Sequence, residues 1–255
     1  MVRGLYTAAT GMNVQAKRME VISNDLANTT TTGYKKDIAV VSAFGEVLMT
    51  RLQDTQKNIP NEKSIGKMTY GAKIDEVYTD FTQGSIVPTG EKTDIAIQGD
   101  GFFVVQTPNG LAYTRDGGFT INQNGMIVTK EGYEVQGESG SISLGEDFLS
   151  TSGEIVIGKK GEITLDGEAI DTLRMVQFDE ESEIEKLDDN LYRSEEAGRN
   201  FEGTLIQGYL ESANVNPVTA MVDMITVSRA YETNQKMIQT QDNLLGKAVN
   251  ELGRG

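Results

Sequence analysis

Residues 5–26 read LYTAATGMNVQAKRMEVISNDL, and residues 224–252 read MITVSRAYETNQKMIQTQDNLLGKAVNEL. In the first stretch Leu5, Met12, Met19 and Leu26 recur every seven residues, with Ala8, Gln15 and Ile22 three positions further on. In the second, Met224, Tyr231, Ile238, Leu245 and Leu252 repeat in the same way, accompanied by Val227, Asn234, Gln241 and Ala248. A sevenfold apolar repeat places one seam on a helix, and that seam must be buried against another helix. Two such seams at opposite ends predict that the ends meet and that the middle is an inserted domain. The expected fold class is α+β, with N- and C-terminal helices paired as a coiled-coil-like helical domain around an inserted all-β domain rich in hairpins. The expected division is an N-terminal helical segment 1–36, a connecting segment 37–75, a β domain 76–214 and a C-terminal helix 215–255.

Composition narrows the chemistry. The 255 residues contain neither cysteine nor histidine, which removes thiolate and imidazole metal sites, disulfides, Cys nucleophiles and His bases. No apolar run approaches 18 residues, so no lipid-embedded segment is expected. The first 25 residues lack the apolar core and small-residue cleavage site of a secretory signal. The net charge of −15 is unevenly placed. Residues 1–36 set Arg3, Lys17, Arg18, Lys35 and Lys36 against only Glu20 and Asp25, and residues 218–255 balance Arg229, Lys236, Lys247 and Arg254 against four carboxylates. The middle is therefore strongly acidic, which argues against nucleic acid as a partner, because like charges repel.

The first seam predicts a helix over about 26 residues, roughly 39 Å long. It should end near Asn28, because a β-branched run from Thr29 to Thr32 and then Gly33 follow. Gly4 and Gly11 weaken it by up to about 1 kcal/mol each relative to Ala. From Tyr34 to about Tyr70 the signal is weak: the apolar patch from Val40 to Leu52 is compatible with a short helix without requiring one, and Gln53 to Gly66 reads as polar loop. Only Gly4, Gly11, Gly33, Gly246, Gly253 and Gly255 of the 28 glycines fall outside residues 37–217, so turns concentrate in the middle. Phe102 to Gln106, Thr107-Pro108-Asn109-Gly110 and Leu111 to Arg115 have the form of a β-hairpin, and Asn124-Gly125 marks another tight turn. Further strands are expected at 154–157, 162–165, 173–178 and 204–209, and a helix from Val218 to Asn250.

Candidate chemical motifs are weak. The acidic run Asp179 to Glu185 lacks the sixth-position glycine of a calcium loop and reads as solvated hairpin charge. Gly99-Asp100-Gly101 lacks the rest of a phosphate-binding loop and reads as a turn before a strand. No carboxylate pair stands out for catalysis. Asn234, Gln241 and Gln15 interrupt the seams with polar groups, which in a helix pair fix register at a cost in stability.

Longer motifs resemble a known family. Ile22-Ser23-Asn24-Asp25-Leu26-Ala27-Asn28, followed by Thr31-Thr32-Gly33-Tyr34-Lys35, resembles the N-terminal signature of bacterial flagellar rod and hook proteins, with Asp25 where the family usually has Asn. Thr93 to Phe103, which includes Gly99, Gly101 and Phe102, and Tyr113 to Phe119, which includes Arg115 and Gly117, look like two further family motifs. Gly208 to Pro217, with Leu210, Glu211, Asn214 and Val215, and Arg229-Ala230-Tyr231-Glu232 resemble the C-terminal signature. Ala213 stands where Ser is common. Length and motifs are most similar to the distal (FlgG) and proximal (FlgF) types of basal-body rod subunit. The resemblance implies a non-enzymatic structural subunit of the flagellar basal-body rod, part of the drive shaft and export channel, without cofactors or metals. It implies a helical tube domain built from the chain's two ends, with the β domain outside it. Its implied partners are copies of itself, other rod and hook subunits and the flagellar type III export apparatus, with export needing no cleaved signal peptide.

Leu5, Met12, Met19, Ile22, Leu26, Met224, Tyr231, Ile238 and Leu245 are the expected assembly-helix contacts, and Asn24, Asn28 and Gly33 the expected shapers of the first helix's exit. The rival reading is a secreted acidic β-domain enzyme or adhesin on a helical stalk. A soluble coiled-coil regulator fits the glycine-rich middle poorly.

Overall fold

The computed structural model describes residues 2–51, 63–145, 154–178, 184–187, 190–194 and 198–252. Its class is α+β: one helix spans Val2–Ala27, another Pro217–Leu252, and the described chain between them is strand, turn and loop. The first helix stops where the threonine run begins. Thr29 donates its hydroxyl to the Leu26 carbonyl at 3.0 Å, and the Thr31 amide donates to the Asn28 carbonyl at 3.1 Å. Hydroxyl-to-backbone bonds of this kind compete with helix propagation. Pro217 opens the second helix, where its fixed φ suits the first helical turn and its missing N–H costs nothing.

Of the patch Val40 to Leu52, residues 40–51 are described and none of them is helical, while Leu52 lies outside the described residues. Asp37–Ala43 is a strand paired with Ala72–Thr79, and Val47–Arg51 is a strand paired with Lys63–Met68. A short apolar run has no periodicity to separate helix from strand. Here Ile38, Val40 and Val41 supply the β-branched side chains that favour the extended form. Of the expected polar loop, residues 53–62 lie outside the described residues, and Lys63 to Gly66 belong to a strand. Most of the acidic run, residues 179–183, also lies outside them, while Ile184–Lys186 is a strand.

The chain divides into two compact units. One comprises Met1–Asn24, Asp37–Tyr78 and Val218–Gly255, the other Asp25–Lys36 and Thr79–Pro217. The second is built on an antiparallel sheet whose central strand is Phe102–Thr107. That strand turns through Pro108 and Asn109 into Gly110–Thr114, with Thr107 opposite Gly110. Its other edge is shared by Glu134–Val135 and Met175–Gln177. Smaller antiparallel sheets flank it: Ile155–Ile157, Glu162–Leu165 and Glu168–Thr172 form one, and Thr204–Gln207 pairs with Ile95–Gln98. The strand expected across 204–209 is interrupted at Gly208, after which Tyr209–Glu211 pairs with Ile86–Pro88.

Phe102 to Val105 is an unbroken apolar run because both faces of its strand are covered. Alternation sends Phe103 and Val105 into the larger core with Ile95, Ile97, Phe119 and Ile163. Phe102 and Val104 enter a second core with Phe81, Val176 and Tyr192. Phe103 meets Phe119 edge-on at 5.0 Å, and Phe102 meets Tyr192 at 5.5 Å. Replacing the fully buried Phe103 by Ala should therefore destabilise this unit by about 3–5 kcal/mol. Val156→Ala, at an exposed strand position, should stay within about 0.5 kcal/mol in the same urea titration.

Candidate functional site

The residues that carry the sequence motifs converge within the β unit on one buried charge cluster. Lys35, Arg115 and Glu211 are each buried to within 2% of complete exclusion from solvent. The Lys35 ammonium donates to Glu211 Oε1 at 2.6 Å and to the Thr82 carbonyl at 2.8 Å. The Gly84 amide donates to the same carboxylate oxygen at 2.8 Å. Arg115 Nη1 stands 3.6 Å from Glu211 Oε2 and donates to the Gly99 carbonyl at 2.8 Å, while its guanidinium lies 5.1 Å from the centre of the Phe102 ring. Burial pushes the Lys35 ammonium below its ordinary range, opposed by the Glu211 carboxylate beside it. Hydrogen bonds must offset the desolvation of such a pair, and the Thr82 carbonyl and Gly84 amide do so for Lys35 and Glu211 Oε1, while Glu211 Oε2 accepts no hydrogen bond among the described residues and faces the Arg115 guanidinium across 3.6 Å.

Backbone contacts extend the cluster. The Gly33 amide donates to the Glu211 carbonyl at 2.8 Å. Gly33 has φ 67°, and a Cβ there would fall 2.5 Å from the Arg115 and Asp116 backbone, so glycine is required twice over. A Cβ on Gly117 would overlap the Ile95 carbonyl, and the Ile95 amide donates to the Gly117 carbonyl at 3.0 Å. Asn214 accepts from the Lys36 amide at 2.8 Å and donates to the Asp80 carbonyl at 2.7 Å. Burial raises the Asp80 pKa, but hydrogen bonds from the Thr82 amide and hydroxyl, with the Lys36 ammonium, outweigh it and hold the carboxyl below the ordinary range. Tyr34 donates to the buried Asp25 carboxylate at 2.9 Å, and Lys186 caps the Tyr34 ring at 4.1 Å while donating to the Lys35 carbonyl. Chemically the cluster is a pin: its charges face one another and backbone.

The other motif residues fall around it. Gly101 is buried, and Leu210 and Val215 are half-buried, Leu210 opposite Val87. Asn24 is exposed on the last turn of the first helix, and Asn28 follows that helix and accepts from the Thr31 hydroxyl at 3.1 Å. The expected assembly residues Leu5, Met12, Met19, Ile22 and Leu26 are half-buried, as are Met224, Tyr231, Ile238 and Leu245. The two helices approach at polar seam positions. A Cβ on Gly4 would stand 3.2 Å from Gln241 Nε2, and one on Gly11 3.1 Å from Asn234 Nδ2.

Sequence reasoning took Lys35 only as a motif position and missed it as the partner of Glu211, 176 residues away. It also missed Val14, one of the few buried side chains of the first helix. A lysine and a glutamate each set beside aromatic and aliphatic neighbours, in Gly33-Tyr34-Lys35 and Tyr209-Leu210-Glu211, were the available signal. Among the described residues, no group of three or more His, Cys, Asp or Glu could hold a metal, and no helix is long and apolar enough to cross a membrane.

Three family profiles match the chain: "Flagella basal body rod protein" over residues 5–35, "Flagellar hook protein FlgE/F/G D1 domain" over 96–165 and "Flagellar basal body rod FlgEFG protein C-terminal" over 206–251. The flagellar basal-body rod protein FlgG of Buchnera aphidicola subsp. Schizaphis graminum is 35% identical across 97% of this chain and 98% of its own length. FlgG of Borreliella burgdorferi is 35% identical across 98% of both chains. The flagellar hook-basal body complex protein FlhO of Bacillus subtilis is 29% identical across the full length of both. Lys35, Arg115 and Glu211 come one from each of the three matched segments.

Removing the shared carboxylate isolates two buried cations. Glu211→Gln should therefore cost the β unit about 3–5 kcal/mol in thermal or urea unfolding. Adding Lys35→Met to that variant should recover part of the loss, because it deletes one uncompensated charge.

Proposed function

The chain belongs to the family of flagellar basal-body rod proteins, and on that premise we propose how it does a rod subunit's work. It is a structural subunit, not an enzyme. The proposal is a FlgG-type subunit of the basal-body rod, assembling with copies of itself and with other rod and hook subunits. The near full-length similarity to the FlgG proteins supports that type. Its two terminal helices pair in coiled-coil fashion and supply the tube, and Thr79–Pro217 form the β body. The assembly residues read from the seams line that pairing. A head-to-tail contact that does not close on itself then generates an open filament rather than a ring. Passage through the flagellar export apparatus belongs to the same proposal.

One observation carries the assembly reading. The seam positions of the C-terminal helix are shielded, yet Val218, Met221, Val222 and Ile225 at its start remain 52–68% exposed. At helical spacing these four lie together, on a stripe beside and distinct from that of Met224, Val227 and Tyr231. A helix that has covered one apolar stripe and still offers another needs a second neighbour, and in a subunit stacked on copies of itself the neighbour is the next copy. The stalked enzyme or adhesin has no such support, because the matched family is structural.

The assembly reading is tested by breaking the helix without touching the β unit. Ile238→Pro removes a backbone donor mid-helix and costs about 3 kcal/mol or more locally. Sedimentation and electron microscopy should show loss of polymers and swimming assays loss of motility, with the melting transition of the β unit retained. Loss of that transition in parallel with assembly would refute the separation of roles.

A further inference from the structure

We propose that Gly4 and Gly11 are notches, and Gln241 and Asn234 the teeth, of a key that sets the register of the two terminal helices. The inference rests on the helix pairing proposed above and names what specifies it. Gly4 lies against Gln241 and Gly11 against Asn234, so a step of seven up one helix matches a step of seven down the other. That is an antiparallel register stated twice, one heptad apart.

Three observations point the same way. Two glycines within the first three turns of a helix oppose its formation, by about 1 kcal/mol each relative to Ala, so they need a reason in packing. The reason is present: a methyl at either position would crowd an amide nitrogen of the opposite helix at 3.1–3.2 Å. The Gln241 amide oxygen is also turned away from water, while Asn234 is half-buried. Gln241 Oε1 and Gln15 Oε1 are buried without a hydrogen-bond partner among the described residues. A bulky polar side chain held in a seam costs stability and is tolerated where a gap in the facing helix receives it.

Slippage breaks this fit in both directions. A shift of one heptad that carries Gln241 to Gly11 sets Asn234 against the neighbourhood of Arg18, where no glycine stands. The opposite shift carries Asn234 to Gly4, fills the Gly11 notch with the branched Val227, and leaves Gln241 beyond the start of the first helix. The apolar residues, repeating every seven, tolerate either shift. The glycine–amide pairs do not.

The chain has no cysteine of its own, so introduced pairs report register cleanly. Ala8→Cys with Ile238→Cys, midway between the two glycine–amide pairs, reports the native register. Ala8→Cys with Leu245→Cys or with Tyr231→Cys reports the two slipped ones. In dilute full-length protein under mild oxidation the native pair should cross-link at least about tenfold more than either slipped pair, within the coupling range of contacting residues. Gly11→Leu should lower the native yield about tenfold although leucine is the better helix former, and Asn234→Ala added to Gly11→Leu should restore it. Undiminished native cross-linking in the Gly11→Leu protein would overturn the key while leaving the pairing intact. Absence of cross-linking in all three registers would overturn the key and the pairing together.

Discussion

The interaction on which the β unit depends is the buried pair of Lys35 and Glu211, closed at 2.6 Å with both side chains excluded from solvent. Burying an ammonium and a carboxylate is unfavourable unless each finds its complement, and only one arrangement of the chain supplies it. The Thr82 carbonyl and the Gly84 amide must stand where they do, and Arg115 must come to the far side of the carboxylate. The pair therefore dictates the path of three distant segments at once. An apolar contact in the same place would be more forgiving, because hydrophobic packing tolerates a sliding neighbour and a charge does not.

Lys35 comes eight residues after the first helix ends, and Glu211 six residues before the second begins. Both belong to the β unit, along with Gly33 and Asn214, whose hydrogen bonds run parallel to the ion pair. The segments that follow one helix and precede the other are thus held by backbone and charge rather than left as free linkers. The helices rest on a different principle. Their seams are half-buried apolar stripes with glycine–amide contacts, a surface that a single chain covers only in part.

What was legible in the sequence follows the same division. Helices announce themselves by local periodicity, and the repeats from Leu5 and from Met224 place both. Turns announce themselves by residue type: Asn124-Gly125 carries its φ of 72° at the glycine, and the hairpin through Pro108 and Asn109 follows from its flanking strands. Val40 to Leu52 leaves helix and strand open because a short apolar run carries no phase, and the strands Asp37–Ala43 and Val47–Arg51 are specified by partners at Ala72–Thr79 and Lys63–Met68 that no local window contains. Lys35 was the deeper miss. Its position in Gly33-Tyr34-Lys35 was legible as a motif, but a lysine is expected at the surface, and nothing near it in the chain names Glu211. Long-range polar complementarity leaves no periodic trace. The motifs recorded the residues of the pin without recording that they touch.

The most direct measurement of this account is amide hydrogen exchange on the dilute, unassembled chain, followed residue by residue. The Gly33 and Gly84 amides donate to Glu211 and should exchange as slowly as the core amides of Val104 and Leu205, opening only with the whole β unit, while amides of the C-terminal helix beyond Val218 exchange much faster. Exchange of Gly33 and Gly84 at the rate of that helix would show that the pin does not hold and contradict the account.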